Sequence, residues 1–247
     1  MRQKLKDVIL TLLSNKKIAK NTYEWVLSGD TSDISASGQF VNIKLDGLFL
    51  RRPISVCDCD DDRLTLIFKA VGEGTEKMAK AAPGEKFSVL MGLGNGYDLS
   101  LSGNTPLLIG GGAGIPPMYM LAKKLIAEGK APTVILGFGS SEEVFYKDEF
   151  EAIGAKVLVT TVDGSFGIRG FVTNAMEGLD YSYFYTCGPE PMLKAVYDSS
   201  KTSGQFSFEE RMGCGFGACM GCTCKTKYGN KRICREGPVL VKEEIIW

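Results

Sequence analysis

Short runs rich in Val, Ile, Leu, Phe and Tyr, set apart by polar turns, dominate the chain up to about residue 98. They fall at 7–13, 23–27, 39–45, 64–70 and 86–90, divided by clusters such as Ser28-Gly29-Asp30 and residues 58–62. Runs this short and this regularly spaced predict an antiparallel β-barrel. One helix is expected in this part, about 75–81, with Thr75 as its N-cap. After residue 98 the pattern changes. Strands are predicted at 107–109, 133–137, 156–161 and 183–186. Between and after them come helices reaching 128, over 142–152, over 171–177, and through Tyr197. Strands alternating with helices predict a doubly wound parallel sheet, with ligands at the carboxyl ends of its strands. The last stretch is dominated by cysteine and glycine and reads as a small third domain. The expected boundaries are 1–98, 99–205 and 206–247.

A chain of 247 residues that is 44% hydrophobic can fill two real cores and a small appendage. Lys plus Arg equals Asp plus Glu at 29 each, so no basic field points to nucleic acid and no acidic tail is present. The longest apolar run, 106–122, is cut by three consecutive glycines and by prolines, so no membrane span is expected. Met1 leads into Arg2, Lys4 and Lys6 without an export-type apolar stretch, which makes a reducing cytoplasm the expectation. Histidine is absent. That excludes Ser–His and Cys–His triads and His-ligated metals, whereas hydride transfer and electron tunnelling need no imidazole.

Five of the eight cysteines, Cys214, Cys219, Cys222, Cys224 and Cys234, lie within residues 209–238. Cys214, Cys219 and Cys222 follow the Cys-x4-Cys-x2-Cys spacing of a plant-type 2Fe–2S site, and Cys234 is the obvious fourth thiolate. Cys224 fits worse: a frame begun at Cys219 reaches it by an x4 step, but no Cys follows two residues later. Gly213, Gly215, Gly217 and Gly221 interleave with the thiols, as a loop wrapped closely around a cluster requires. Structural zinc, the alternative, prefers two well-separated Cys-x2–4-Cys pairs, and only one such pair has a clean frame here.

Two barrel segments look able to bind an anion: Arg52-Pro53-Ile54-Ser55, and residues 69–75 with Gly72-Glu73-Gly74-Thr75. A fixed cation, a hydroxyl and a Gly-Thr turn opening a helix suit a pyrophosphate, although each alone also fits an ordinary turn. The run from Gly110 through Gly112, Ala113, Gly114, Ile115 and Pro116 to Pro117 is neither a Walker A loop nor Gly-x-Gly-x-x-Gly. It still lets the backbone approach a diphosphate; the alternative is a tight turn without ligand. Past the predicted strand at 133–137 stand Glu142 and Glu143 with no base before Lys147, so NADH is expected over NADPH.

In this order, Gly38-Gln39-Phe40, Arg52-Pro53-Ile54-Ser55, Gly72-Glu73-Gly74-Thr75, Gly112-Ala113-Gly114-Ile115-Pro116 and Cys187-Gly188-Pro189 resemble the ferredoxin–NAD(P) reductase superfamily. With the cysteine loop added, the chain resembles the electron-transfer subunits of dihydroorotate dehydrogenase B. The resemblance implies FAD, one 2Fe–2S cluster and NAD(H) as cofactors. It gives Arg52, Pro53, Ile54 and Ser55 to the flavin phosphate and ring, and Ile67, Phe68 and Lys69 to the strand lining the flavin. Gly74 and Thr75 would hold the pyrophosphate. Gly112, Ala113, Gly114, Ile115 and Pro116, with Cys187, Gly188 and Pro189, would face the nicotinamide nucleotide. Cys214, Cys219, Cys222 and Cys234 match the cluster ligands, and no side chain is itself a catalyst. The implied partner is an FMN-containing dihydroorotate dehydrogenase catalytic subunit, two copies of each forming a heterotetramer in pyrimidine (UMP) biosynthesis. A reductase subunit serving a hydrogenase or a ferredoxin would carry the same motifs, and a nucleotide-binding module with zinc would be colourless.

Overall fold

Six strands close into the barrel that the short apolar runs predict. In the computed structural model, which describes residues 6–247, they are β1 (Lys6–Ala19), β2 (Thr22–Ser28), β3 (Phe40–Ile43), β4 (Arg52–Cys59), β5 (Arg63–Lys69) and β6 (Lys86–Leu93). Met1, Arg2 and Lys4 of the leader reading lie outside the described residues. The closed order is β1-β2-β5-β4-β3-β6. Leu10, Leu12, Trp25, Leu27, Leu64, Leu66, Val89 and Met91 fill its interior at alternate positions of their strands. β4 is not among the predicted strands. Arg52, Pro53, Ser55 and Asp58 disguise it, and only Val56 and Cys57 of its eight residues are buried. The one helix of this part, α1, runs Glu73–Ala79 with Gly72 as N-cap. Thr75 therefore stands inside the first turn and is not the cap.

The second part is a seven-stranded sheet. Its elements are β7 (Leu107–Gly111), α2 (Pro116–Ala127), β8 (Thr133–Phe138), α3 (Lys147–Ala152), β9 (Lys156–Thr161), β10 (Ile168–Arg169), α4 (Val172–Met176), β11 (Phe184–Cys187), α5 (Glu190–Ser199), β12 (Gly204–Ser207) and, from the end of the chain, β15 (Val239–Val241). The order is β10-β9-β8-β7-β11-β12-β15, parallel except for the antiparallel β15. The single helix expected over 142–152 is broken: a short turn at Ser141–Glu143 is followed by extended backbone and then α3. Tyr146 caps α3 from the left-handed region, which separates the two pieces.

The last segment adds a small hairpin, β13 (Thr223–Thr226) and β14 (Gly229–Arg232). β12 runs across the expected boundary at 205, and β15 pairs with it, so this segment is knitted into the edge of the parallel sheet. The linker is tied to both sides. Asn95 donates to the carbonyls of Val239 (2.8 Å) and Glu236 (3.3 Å), and Gln205 exchanges two hydrogen bonds of 2.9 Å with the backbone of Asp98.

Candidate functional site

The barrel motifs converge because β4 and β5 are neighbours. Pro53, Ile54 and Ser55 on β4 and Ile67, Phe68 and Lys69 on β5 line one cleft of about 320 Å3. Thr75 joins them, Ala113 reaches in from the sheet, and Phe208, Glu209, Glu210 and Met212 close the third side. Arg52 lies over the start of α1. A Cβ on Gly74 would stand 2.0 Å from Arg52 Nε, so only glycine admits the guanidinium there. Arg52 Nη1 donates to the Leu50 carbonyl at 2.5 Å, and among the described residues no carboxylate forms an ion pair with it. A guanidinium held by carbonyls beside a helix start, with donors to spare, suits a phosphate. The Thr75 hydroxyl accepts from the N–H groups of Val71 (3.0 Å) and Gly72 (3.3 Å) and donates to the Gly72 carbonyl (3.0 Å), so it shapes the turn. Arg52→Ala is expected to weaken flavin binding by one to two decades, from the about 1.5–3 kcal/mol typical of hydrogen bonds to charged groups. Flavin content and a flavin titration check this, and unchanged affinity would put the phosphate elsewhere.

The glycine turns meet at the switch point of the sheet. β7 leads to β8 on one side and is flanked by β11 on the other, so their carboxyl ends bound the crevice where doubly wound sheets bind ligands. Gly112, Ala113 and Gly114 form a tight turn at the end of β7, and Ile115 and Pro116 open α2. Cys187, Gly188 and Pro189 leave the end of β11 directly against it. A Cβ on Gly114 would stand 2.2 Å from the Cys187 carbonyl oxygen and 2.5 Å from the Gly188 nitrogen. Burial pushes the Cys187 thiol up to about 12, so it is a neutral group.

Glu142 and Glu143 are not the free carboxylates that the NADH reading took them for. Lys20 Nζ pairs with Glu142 at 2.8 Å, and Lys69 Nζ pairs with Glu143 at 3.2 Å. The two barrel lysines offset part of the negative charge expected to repel a 2′-phosphate, so these carboxylates alone discriminate less between the two nucleotides than their sequence position suggests.

The four cysteines come together as two pairs. Cys214 and Cys219 are thiol neighbours near the surface, and Cys222 and Cys234 are thiol neighbours in the core. Among the described residues no three His, Cys, Asp or Glu side chains converge as ligands of one metal ion do. Two thiol pairs instead suit the donor set of a two-iron cluster, in which four cysteines serve two irons. Burial would raise the Cys214 thiol, but the N–H groups of Cys219, Phe216 and Ala218 outweigh it and bring it down to about 6. Ala218 donates at 3.2 Å and Cys219 at 3.4 Å. A thiolate is the ligand form, so these donors fit the role. Burial pushes Cys234 up to about 12, with its partner Cys222 next in effect. Glycines let the loop close: a Cβ on Gly213 would stand 3.2 Å from Cys219 Sγ, and Gly215 (φ +78°) and Gly217 (φ +89°) take the left-handed region. Arg232 donates to the Gly217 carbonyl at 2.7 Å and pairs with Glu236, pinning the loop to the hairpin. Cys224 lies on β13, outside both thiol pairs.

Sequence reasoning missed Phe40, Phe208 and Met212 as cleft walls and Asn42 beneath the cysteine loop. Phe40 carried a signal in the Gly38-Gln39-Phe40 motif, though no role was attached to it, and Asn42 carried one as a polar residue inside the apolar, fully buried strand Phe40–Ile43.

Known proteins share both halves of this arrangement. The iron–sulfur cluster binding domain of dihydroorotate dehydrogenase B matches residues 209–246, and the oxidoreductase NAD-binding domain matches residues 108–198. The sequence is 44% identical to the dihydroorotate dehydrogenase B (NAD(+)) electron transfer subunit of Bacillus pumilus, over 98% of each chain. It is 43% identical to the subunit of that name from Fusobacterium nucleatum, over 95% of this chain and 96% of the relative. Among solved structures, an NADH-dependent reduced ferredoxin-NADP oxidoreductase superposes with a TM-score of 0.88 at 28% identity, over 97% of this chain and 90% of that one. A ferredoxin NADP+ reductase from Neisseria gonorrhoeae with bound FAD and NADP shares the fold at TM-score 0.69 and 18% identity, over 78% of this chain and 90% of that one.

Proposed function

The chain belongs to the family of electron-transfer subunits of dihydroorotate dehydrogenase B, and from that premise we propose which residues carry its electrons. It is an oxidoreductase subunit that uses NAD(H), FAD and a 2Fe–2S cluster and acts with a catalytic partner subunit in pyrimidine biosynthesis. FAD, when bound, supplies the conversion between the two-electron hydride of NADH and the single electrons that an iron–sulfur cluster carries.

Arg52 and Ser55 hold the flavin phosphates, and the Gly74 and Thr75 turn gives them room. Pro53, Ile54, Ile67, Phe68 and Lys69 wall the ring and exclude water. Gly112, Ala113, Gly114, Ile115 and Pro116, with Cys187, Gly188 and Pro189, orient the nicotinamide nucleotide toward that wall. Cys214, Cys219, Cys222 and Cys234 ligate the cluster. Residues 1–98 serve the flavin, 99–205 the nucleotide and 206–247 the cluster, apart from the strands the last segment lends to the sheet. The observation that carries this reading is the single cleft shared by Ile54, Phe68, Ala113 and Met212. All three expected cofactor regions border it, so electrons need cross only short distances. Phe216 and Met220 are exposed beside the outer thiol pair and offer the partner an apolar face. The partner carries FMN, and two copies of each subunit assemble in the cytoplasm. No described helix is long and apolar enough to cross a membrane.

Anaerobic purification is expected to yield a brown-yellow protein with about one flavin and about two irons per chain, bleached by NADH. Zinc in place of iron would overturn the cluster assignment, and absence of flavin would overturn the reading of the cleft.

A further inference from the structure

Strand β3 runs from the flavin cleft to the cysteine loop. Phe40 lines the cleft, and Asn42 projects from the same face about 7 Å further along the strand. Pro53 of the flavin motif stands directly opposite Asn42 in the antiparallel register. The Asn42 side chain is 1% exposed. Its Nδ2 lies 3.5 Å from the carbonyl oxygen of Cys214, and its Oδ1 is buried with no hydrogen-bond partner. Gly215 passes over the amide so closely that a Cβ there would stand 2.5 Å from Nδ2. Behind the amide, Arg51 donates to the Asn42 carbonyl at 3.2 Å and pairs with Asp7 at 2.7 Å, which holds this stretch of β3 still.

A buried amide with one long hydrogen bond and one orphan oxygen is a poor choice for packing alone. Leucine has nearly the same volume and no polar atom to desolvate. The position of the amide, between the flavin motif and the first cysteine of the loop, supplies a reason for it. We infer that Asn42 is a positioning residue of the electron path, holding the backbone of Cys214 and Gly215 against the flavin strand and raising the reduction potential of the cluster. The inference rests on the reading of Cys214 as a cluster ligand. An added electron makes the cluster more negative, and a donor dipole close to a ligand cysteine stabilises that form. Groups that orient a metal site's ligands are among the determinants of its potential, and Asn42 acts in that way, through the Cys214 carbonyl rather than through a sulfur.

The test is an EPR-monitored redox titration of the flavin- and cluster-loaded protein, comparing wild type with Asn42→Leu and Asn42→Asp. At a fixed potential the ratio of reduced to oxidised cluster is expected to fall about tenfold in Asn42→Leu. That corresponds to a midpoint lower by about 59 mV for a one-electron couple. Asn42→Asp, of the same shape but negatively charged, is expected to fall further. The FAD midpoint and the rate of FAD reduction by NADH are expected to stay unchanged. Should Asn42→Leu fail to fold, Asn42→Ser removes the amide with less volume change and carries the same expectation. An unmoved cluster midpoint with full iron content overturns the inference. So does loss of iron from every variant with flavin retained, since Asn42 would then serve loop folding alone. Absence of a 2Fe–2S signal from the wild type would instead sink the cluster reading itself, so the two failures are distinguishable.

Discussion

Serine at Cys222 or Cys234 is expected to abolish the 2Fe–2S signal and with it NADH-driven electron delivery to the catalytic partner. Both thiols are at most 2% exposed and sit in one apolar cluster with Phe40, Leu93, Ile233 and Leu240. A hydroxyl in that setting is a poor iron ligand and a desolvated polar group, costing about 1–3 kcal/mol of stability as well. The C-terminal segment should therefore loosen, and the melting temperature should fall together with the iron content. Cys214→Ser and Cys219→Ser are expected to lose the cluster equally but to disturb the fold less, because this pair lies at the surface. Cys224→Ser should keep the cluster. Iron analysis, EPR of the reduced protein and a thermal melt on all five variants provide the check. A Cys224→Ser protein without cluster, beside a Cys222→Ser protein that retains it, would show that the third ligand had been misassigned.

What could be read from the sequence divides along the range of the interactions involved. The spacing of Cys214, Cys219 and Cys222 is local, set by what one loop can wrap, so an iron–sulfur binding segment was legible there, as the family match over 209–246 bears out. β2 and β5 were legible because each buries apolar side chains at alternate positions. β4 was not, since Pro53, Ile54 and Ser55 face a cleft and only Val56 and Cys57 are buried, so it lacks an apolar stripe. β12 and β15 exist mainly by pairing with each other and with β11, through register contacts that no local pattern contains. The pairing of Glu142 and Glu143 was hidden for the same reason. Their lysine partners stand 122 and 74 residues away in the chain, so the local view showed two unpaired carboxylates. Asn42 and Cys214 are 172 residues apart, and their meeting depends on the barrel and the last segment folding against one another.

Gly114→Ala is expected to lower NADH affinity by one to two decades while leaving flavin binding as it is. Gly114 does not occupy the left-handed region, so its backbone conformation would admit alanine, and the obstacle is space alone. The added methyl would stand 2.2 Å from the Cys187 carbonyl oxygen, 2.3 Å from its carbon and 2.5 Å from the Gly188 nitrogen. All three atoms are backbone at the end of β11, where no side chain can rotate aside. The turn after β7 and the Cys187-Gly188-Pro189 segment must separate, which opens the crevice at the switch point. Overpacking of this kind costs about 1–3 kcal/mol, or roughly one to two decades if it falls on the nucleotide-binding geometry. Gly112 provides the contrast. A Cβ there would meet nothing within 4 Å, but its φ of +51° is left-handed, so Gly112→Ala carries only backbone strain of about 1–2 kcal/mol. Arg52, Ser55 and Gly74 belong to the barrel, on the far side of the cleft from the turn, so flavin content should be preserved in both variants. Anaerobic titration of flavin reduction with NADH measures the nucleotide step, and reduction by dithionite reports whether the cluster remains competent. A Gly114→Ala protein with wild-type NADH affinity would mean that the nucleotide does not depend on the contact between these two turns. A proportionate loss of dithionite reduction would mean that the damage had spread beyond the nucleotide crevice.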